Sequence, residues 1–341
     1  MAPDWPRRVP GGVFPGGRND PAGATVGLAE TGAGARPCRG AACLAGGGRL
    51  CTANAGSVIH ARPVQEGPNV KYIVSRLVKI LGALVKLLCT VHLWLFPGAR
   101  FTIPAYAPAL ARRTSPRAVP RRVVQTNYTR EVSLAVYITW TFNRLMAWDH
   151  EFHYVDDEAA RDWVDTHFPG EIADAFDLLQ IGAAKADYWR VLVLMRDGGV
   201  YLDTDANFVW PPSSSIAADE QELFLRMRDG EITNYFLACA PANPFMTAIE
   251  REIRKNIQTG TQTNVYLLTG PTAMLPALAD GGFTVKSYKT VCHQGQFMYE
   301  HLQYPDRDRK KWWREQDERS VLRKGPKTRL TPEAGQPRSD G

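Results

Sequence analysis

The chain has 341 residues, of which 44% are hydrophobic and 22% are charged, and its formal net charge is +6. This composition supports the core of one large α/β domain or two modest ones, and it excludes a chain that is disordered throughout. The six cysteines form no CxxC pair, which excludes the spacing of zinc ribbons and thioredoxin-type centres. The mild positive charge alone favours neither a phosphorylated partner nor a membrane surface.

Residues 1–68 are dominated by Gly, Ala, Pro and Arg and show no apolar periodicity. Such a segment cannot bury enough apolar surface to offset its ordering entropy, so the sequence predicts a disordered, low-complexity leader. The continuous apolar stretch of a signal peptide is also missing from it.

Residues 71–97 are mostly apolar and long enough to span a bilayer as a helix. However, Arg76, Lys79 and Lys86 fall within about one quadrant of that helix, and a lysine near the bilayer centre is costly. The pattern therefore favours a membrane-associated amphipathic helix that lies in the membrane plane. A true span and a soluble packing helix are the two alternatives.

After a Pro/Arg-rich linker (98–117), short apolar strands alternate with amphipathic helices. This order predicts an α/β catalytic domain with a mostly parallel sheet over residues 118–315, followed by a basic, disordered tail at 316–341. The predicted elements are a strand at 121–126, a helix at 133–148, a strand at 152–155, a helix at 158–168 capped by Asp157, a helix at 183–196 and a strand at 200–202.

The triplet Asp203-Thr204-Asp205 directly follows the last of these strands. In open α/β sheets, ligands bind outside the carboxyl ends of the strands. Alternate residues of an extended segment point to one side, so the two carboxylates can converge on one Mg²⁺ or Mn²⁺ ion. Such an ion stabilises a departing diphosphate as a Lewis acid.

A DxD triplet alone is a weak signal, because a second copy occurs at Asp306-Arg307-Asp308. That copy lies among basic residues with no strand before it, and we interpret it as solvated surface. The first copy differs in its context. On the helix before it, Asp187 and Arg190 are three residues apart and share one face, a spacing that by itself also fits a surface ion pair.

The segments K-A-D-Y-W-R (185–190) and G-G-V-Y-L-D-T-D (198–205) resemble the signature of the DXD-containing sugar-binding-region glycosyltransferases, glycosyltransferase family 32. That family includes yeast initiating mannosyltransferases and bacterial capsule and lipopolysaccharide enzymes. The similarity continues through residues 119–126 and the T-G-P segment at 269–271, and extends over about 118–315. It implies a GT-A-type fold, a nucleotide-diphosphate sugar donor and retention of anomeric configuration.

The resemblance also implies roles for individual residues. Asp203 and Asp205 would hold Mn²⁺ or Mg²⁺, and His293 and His301 are the candidates for a further metal ligand. Asp187 and Arg190 would contact the donor and act with the two motif aspartates as the catalytic set. The remaining residues implied are Gln125 and Thr126 beside the donor nucleotide, and Asn234, Gly270 and Trp312 at the edge of the site.

The function implied is metal-dependent transfer of a hexose to a glycan or lipid-linked acceptor of the lipopolysaccharide or capsule type. The apolar helix then suggests a membrane surface as partner, at the cytoplasmic face of a bacterial inner membrane. The alternatives are a Golgi-type mannosyltransferase in protein glycosylation and a catalytically silent, membrane-associated scaffold. Nucleic acid is not expected as a partner, because the basic tail comes without a recognised nucleic-acid-binding fold.

Overall fold

A computed structural model of the chain describes residues 62–63, 70–305 and 312–323, with the backbone alone for 62–63 and 312–314. Most of the predicted leader, the second DxD triplet at 306–308 and the tail from residue 324 lie outside the described residues.

The described part of the chain contains an eight-stranded sheet, two two-stranded sheets and flanking helices. The strands are β1 (Arg62–Pro63), β2 (Phe101–Thr102), β3 (Tyr106–Ala107), β4 (Arg122–Thr126), β5 (Glu131–Val132), β6 (Glu151–Val155), β7 (Gly199–Leu202), β8 (Ala206–Phe208), β9 (Glu222–Arg226), β10 (Ile232–Cys239), β11 (Thr284–Ser287) and β12 (Cys292–Gln294). The helices are α1 (Val70–Leu95), α2 (Leu134–Met146), α3 (Asp157–His167), α4 (Glu171–Leu178), α5 (Gly182–Asp197), α6 (Pro212–Ser215), α7 (Pro244–Thr259), α8 (Val265–Leu268), α9 (Pro271–Leu278), α10 (Tyr288–Val291), α11 (Glu300–Gln303) and α12 (Trp312–Glu318).

The main sheet has the strand order β1-β11-β9-β10-β7-β4-β6-β3. Strand β4, the third from one edge, pairs in parallel with both β6 and β7. In contrast, β10 is antiparallel to both β7 and β9, and β3 is antiparallel to β6. With β1-β11 and β11-β9 also parallel, four of the seven pairings are parallel. The predicted α/β class with a mostly parallel sheet is therefore confirmed, with antiparallel strands inserted.

Strand β4 is buried on both of its faces. Val124 belongs to the apolar cluster shared with α3, α4, α5, α7 and α9, whereas Val123 belongs to a second cluster on the opposite face. Successive side chains of a strand point to opposite sides, so a strand covered on both faces needs an uninterrupted apolar run. The sheet is therefore a middle layer between helices, and β7 is held rigidly beside β4.

The longer elements occur close to their predicted positions. The helix expected at 183–196 is α5, and the helix expected at 133–148 is α2. One cap was predicted wrongly: Asp156, and not Asp157, accepts a hydrogen bond from the backbone N–H of Ala159 at 3.1 Å. Asp157 is the first residue of α3, because the capping oxygen must precede the free N–H by two or three positions.

Three segments predicted to be a leader, a linker and a tail contribute to the domain. Within the predicted leader, β1 pairs with β11 at the edge of the main sheet, so the prediction of disorder is wrong there. Within the predicted linker, β3 extends the edge of the main sheet by pairing with β6. Within the predicted tail, Val321 is buried and Leu322 forms a β-bridge with Leu179. Neither a strand of two residues nor a single buried valine can show a hydrophobic period, so the sequence contains no signal for them.

Helix α1 is the one helix of the described residues that is long and apolar enough to cross a membrane. It packs against α2, α10 and α11 along one face. The buried residues of that face are Ser75, Val78, Gly82, Val85 and Cys89. The helix thus lies along the domain, and its opposite face is exposed.

Candidate active site

The site begins where β7 ends. Asp203 follows Leu202, and the backbone N–H of Ala206 donates to the Asp203 carbonyl at 3.0 Å, which closes a turn into β8. The two motif carboxylates approach each other because of this turn. The sequence prediction invoked an extended segment with alternating side chains, whereas the structure has a turn at residues 204 and 205.

Two glycines allow the chain to pass from α5 into β7. Gly198 has φ 65° and Gly199 has φ 109°, which residues with side chains rarely adopt. A Cβ atom on Gly199 would lie 2.9 Å from the carbonyl oxygen of Arg122 on β4. Glycine at 199 therefore lets β7 lie directly beside β4, so that the acidic turn emerges at the carboxyl end of the central strands.

Arg190 on α5 connects the helix to the acidic turn. Its Nη2 lies 3.0 Å from Asp187 Oδ1 and 3.2 Å from Asp203 Oδ1. Its Nη1 donates to the Asn234 carbonyl at 2.6 Å, and its guanidinium lies 4.5 Å from the centre of the Tyr201 ring. The alternative prediction of a surface ion pair between Asp187 and Arg190 is therefore wrong, because both residues are buried beside the motif.

Asp187 is a buried carboxylate with several partners. It accepts hydrogen bonds from Asn234 Nδ2 at 2.9 Å and from the Thr269 hydroxyl at 3.3 Å. Burial raises the pKa of Asp187 to about 7, and the nearby Arg190 opposes that rise. Burial also raises the pKa of Asp203, again against the effect of Arg190. One guanidinium therefore only partly compensates the buried negative charge.

The side chain that reaches both motif carboxylates is Gln294, the last residue of β12. Its Nε2 lies 3.4 Å from Asp203 Oδ2 and 3.2 Å from Asp205 Oδ1. Neither predicted histidine has this position. His293 is buried with its Nε2 3.1 Å from the Ser75 hydroxyl, and His301 is exposed on α11. Successive side chains of β12 point in opposite directions, which is why Gln294, and not His293, faces the motif.

The other predicted site residues lie at different distances from the motif. Gln125 is buried and its Nε2 lies 3.4 Å from the Asp203 carbonyl, while its Oε1 has no hydrogen-bond partner among the described residues. Thr126 lines the cavity, and its hydroxyl donates to the Val155 carbonyl. Gly270 lies behind the cavity wall, packed on the backbone of Tyr266. The side chain of Trp312 lies outside the described residues.

An open cavity connects these groups. The charged side chains that line it are four carboxylates and one guanidinium, namely Asp187, Asp203, Asp205, Glu231 and Arg190. Several lining residues went unpredicted because they occur far along the chain without a motif. They are Glu231, Tyr266, Gln294, Gln303 and Tyr304. For Gln294, the only sequence signal was its position beside the histidine singled out by resemblance.

The donor set fits a divalent cation. The amide of Gln294 lies within 3.4 Å of a carboxylate oxygen of each motif aspartate, and it can present its oxygen to an ion by rotating about its last bond. Oxygen ligands of this kind are those that Mg²⁺ and Mn²⁺ prefer. The excess of negative charge in the cavity acts in the same direction.

Comparison with known proteins gives a family match for part of the chain. Residues 130–223 match the family described as glycosyltransferase sugar-binding region containing DXD motif. That segment includes α5, the Gly-Gly turn and the acidic triplet. No curated protein matches the chain.

Among solved structures, the chain is similar to "PaToxG Glycosyltransferase", with 15% identity, a TM-score of 0.34, and 61% of this chain and 78% of that chain covered. It is also similar to the ligand-free glycosyltransferase domain from the YGT toxin, with 16% identity, a TM-score of 0.27, and 37% and 49% covered. The UDP-bound form of that domain gives 15% identity, a TM-score of 0.28, and 41% and 53% covered. These structural likenesses are distant.

Proposed function

We propose that this chain is a glycosyltransferase of the family whose sugar-binding region contains a DXD motif, and that it transfers a hexose from a nucleotide-diphosphate sugar in a metal-dependent reaction that retains anomeric configuration. The observation that carries the proposal is the Asp187–Arg190–Asp203 network at the carboxyl end of the central strands. It joins the two sequence signals of the family into one charged cluster inside a cavity.

The donor is held, in this proposal, by groups on three elements. Arg190 supplies the one guanidinium of the cavity, positioned for the negatively charged diphosphate. Asp187 is fixed by Asn234 and Thr269 so that it can accept hydrogen bonds from sugar hydroxyls. Gln125 and Thr126 lie at the end of β4, where the nucleotide would bind.

The cation, Mn²⁺ or Mg²⁺, would be held by Asp203, Asp205 and the amide oxygen of Gln294. When bound, it supplies Lewis-acid stabilisation to the diphosphate that leaves. Two residues of this chain pre-set Asp203 for that role. Tyr201 donates to Asp203 Oδ1 at 3.0 Å, and Arg190 approaches the same oxygen, so that the other carboxylate oxygen is turned towards Gln294.

For the acceptor, we propose a glycan or lipid-linked glycan of the lipopolysaccharide or capsule type, presented at the cytoplasmic face of a bacterial inner membrane. The support is α1, which is long and apolar and lies against the catalytic domain. The segment 293–304, which lines the cavity with Gln294, Gln303 and Tyr304, lies between α1 and the motif.

The test is a screen of UDP-, GDP- and other nucleotide sugars for Mn²⁺-dependent hydrolysis by the full chain. We expect one donor to be hydrolysed, and we expect Asp203→Ala and Asp205→Ala each to reduce turnover by at least about 100-fold, because each removes a charged ligand. Asp219→Ala, at an exposed aspartate outside the cavity, serves as the matched control and should keep full activity. Activity of both motif variants at the wild-type level in excess EDTA would contradict the mechanism.

A further inference from the structure

The outward face of α1 is an extended apolar surface. Twelve of the eighteen exposed large hydrophobic side chains in the described part of the chain lie on this one helix. At its middle, Ile80, Leu84 and Leu87 are each at least 60% exposed. These residues lie opposite the buried face, as the 3.6-residue period requires. A contiguous apolar surface of this kind marks a contact with a protein or with lipid.

The charges on α1 favour an anionic bilayer. The helix carries Lys71, Arg76, Lys79 and Lys86, and its sequence contains neither Asp nor Glu. Basic residues that flank an apolar face are attracted to anionic headgroups, whereas symmetric pairing with a second copy would bring like charges together. Trp94, which is 81% exposed near the end of the helix, is the residue type enriched at membrane interfaces.

The packing of α1 sets its orientation to that bilayer. Its buried residues extend from Ser75 to Cys89, so that about four turns of the helix rest on the domain. If α1 crossed the hydrocarbon core, the domain surface packed against it would have to enter that core as well. The geometry instead presents the whole outward face in one plane, beside the domain.

The inward face of α1 holds the segment 293–304. The Ser75 hydroxyl lies 3.1 Å from His293 Nε2, and the Thr90 hydroxyl lies 2.9 Å from that of Tyr299. Between them, Gly82 lies directly on the segment. A Cβ atom there would lie 2.9 Å from the carbonyl carbon of Gln296 and closer still to its oxygen.

The other side of the same segment contacts every residue of the acidic triplet. Gln294 reaches the carboxylates of Asp203 and Asp205, and the N–H of Gly295 donates to the Asp205 carbonyl at 2.9 Å. Gln303 Nε2 donates to the Thr204 hydroxyl at 3.0 Å. The segment 293–304 is thus packed between α1 and the motif.

We infer that α1 lies in the plane of an anionic bilayer surface through its outward apolar face, and that its inward face holds the segment 293–304 against the acidic triplet. The helix is then both the membrane contact and the support of the metal site. Neither role requires glycosyl transfer, so both can be tested by binding measurements that stand even if the proposed reaction is wrong.

The outward face is tested by flotation of the full chain with vesicles of phosphatidylcholine and phosphatidylglycerol. We expect Leu84→Lys to reduce vesicle partitioning about tenfold, because it places a charge in the apolar contact. Leu145→Lys is the matched control, since Leu145 on α2 is 63% exposed and Leu84 is 60% exposed. An added positive charge would strengthen a purely electrostatic contact, so the loss identifies apolar insertion. Unchanged flotation of Leu84→Lys would overturn the inference. So would a wild-type protein that is a dimer in solution and becomes a monomer with Leu84→Lys, because the apolar face would then be a contact between two copies.

The inward face is tested by Mn²⁺ binding to the full chain, followed by electron paramagnetic resonance. We expect Gly82→Ala to weaken Mn²⁺ binding about tenfold, as loss of an outer support of a metal site typically does, with vesicle binding retained. Ser75→Ala should also weaken Mn²⁺ binding, by a smaller factor. If Gly82→Ala does not fold, the result for Ser75→Ala tests the supporting role of α1. Leu84→Lys should bind Mn²⁺ like the wild type. Wild-type Mn²⁺ affinity in folded Gly82→Ala and Ser75→Ala would refute the supporting role.

Discussion

A single guanidinium serves two carboxylates at the centre of the site. Arg190 lies within 3.2 Å of both Asp187 and Asp203; Asp187 and Arg190 are buried, and Asp203 is half-buried. Buried charges are costly unless they are paired, and two carboxylates with one partner leave one negative charge without full compensation. The raised pKa of Asp187 expresses that cost. In the proposed function, this loss of stability serves a site that attracts a cation.

We predict that Asp187→Asn does not lower the midpoint of thermal unfolding at pH 8. We also predict that it lowers donor hydrolysis about 100-fold, because the charged contact to the sugar is lost. The asparagine keeps the shape and most hydrogen bonds but removes the disfavoured charge. Thermal unfolding and hydrolysis assays check the two halves.

The same prediction has a definite pH dependence. The pKa of Asp187 is raised from 3.8 to about 7, so the folded state favours the protonated form. Relative to Asp187→Asn, the wild type therefore loses stability as pH rises from about 4 to about 7 and keeps a constant deficit above that. A difference between the two proteins that grows towards acid pH would contradict this assignment.

At the scale of single residues, the sequence predicted the site residues that belong to local motifs. It missed the site residues that come from distant parts of the chain. Asp187, Arg190, Asp203 and Asp205 all meet in one cavity as expected. The resemblance pointed to His293, but the neighbouring Gln294 faces the motif. Which of two adjacent residues faces inward depends on the register of β12 on β8, and a strand of three residues contains no pattern that fixes it.

At the scale of elements, the site depends on how closely β7 approaches β4. We predict that Gly199→Ala lowers the free energy of unfolding by about 2–4 kcal/mol, because it adds a strained φ and a clash with the Arg122 carbonyl. Urea unfolding followed by circular dichroism measures the effect.

Gly230→Ala is the matched control for that substitution. Gly230 also has a positive φ, 95°, but a Cβ atom there would meet nothing within 4 Å. It should therefore show the cost of backbone strain alone, about 1–2 kcal/mol. Equal losses of unfolding free energy in both variants would contradict the prediction that moving β7 away from β4 is costly.

The elements that the sequence predicted are those with enough residues to show a period. Helices α2, α3 and α5 were expected within two residues of their bounds, as were β4 and β6. The two-residue strand β3 was assigned to a linker, since pairing with β6 is a long-range contact that leaves no local trace.

At the scale of the whole molecule, the proposed cation binding would be linked to folding, because the proposed ligands come from distant parts of the chain. A hundredfold excess of Mn²⁺ over its Kd should stabilise the folded state by about 2.7 kcal/mol. That corresponds to a rise of roughly 5–10 °C in the unfolding midpoint for a domain of this size. Differential scanning calorimetry with Mn²⁺ and with EDTA measures it.

The same measurement isolates Gln294. Gln294→Ala should weaken Mn²⁺ binding about tenfold and so roughly halve the shift, since tenfold in affinity is about 1.4 kcal/mol. Gln221→Ala, at an exposed glutamine outside the cavity, should give the wild-type shift. A full shift in Gln294→Ala would remove the amide from the ligand set.

The segment 293–304 meets the acidic triplet across 89 to 99 residues of intervening chain. Because closing so long a loop costs entropy that only the completed contact repays, we expect this contact to form late in folding. A nascent chain that has already built β4 and β7 still lacks Gln294 beside its carboxylates. The proposed cation site is therefore complete only once this contact has formed, and a partly folded molecule would lack its amide ligand.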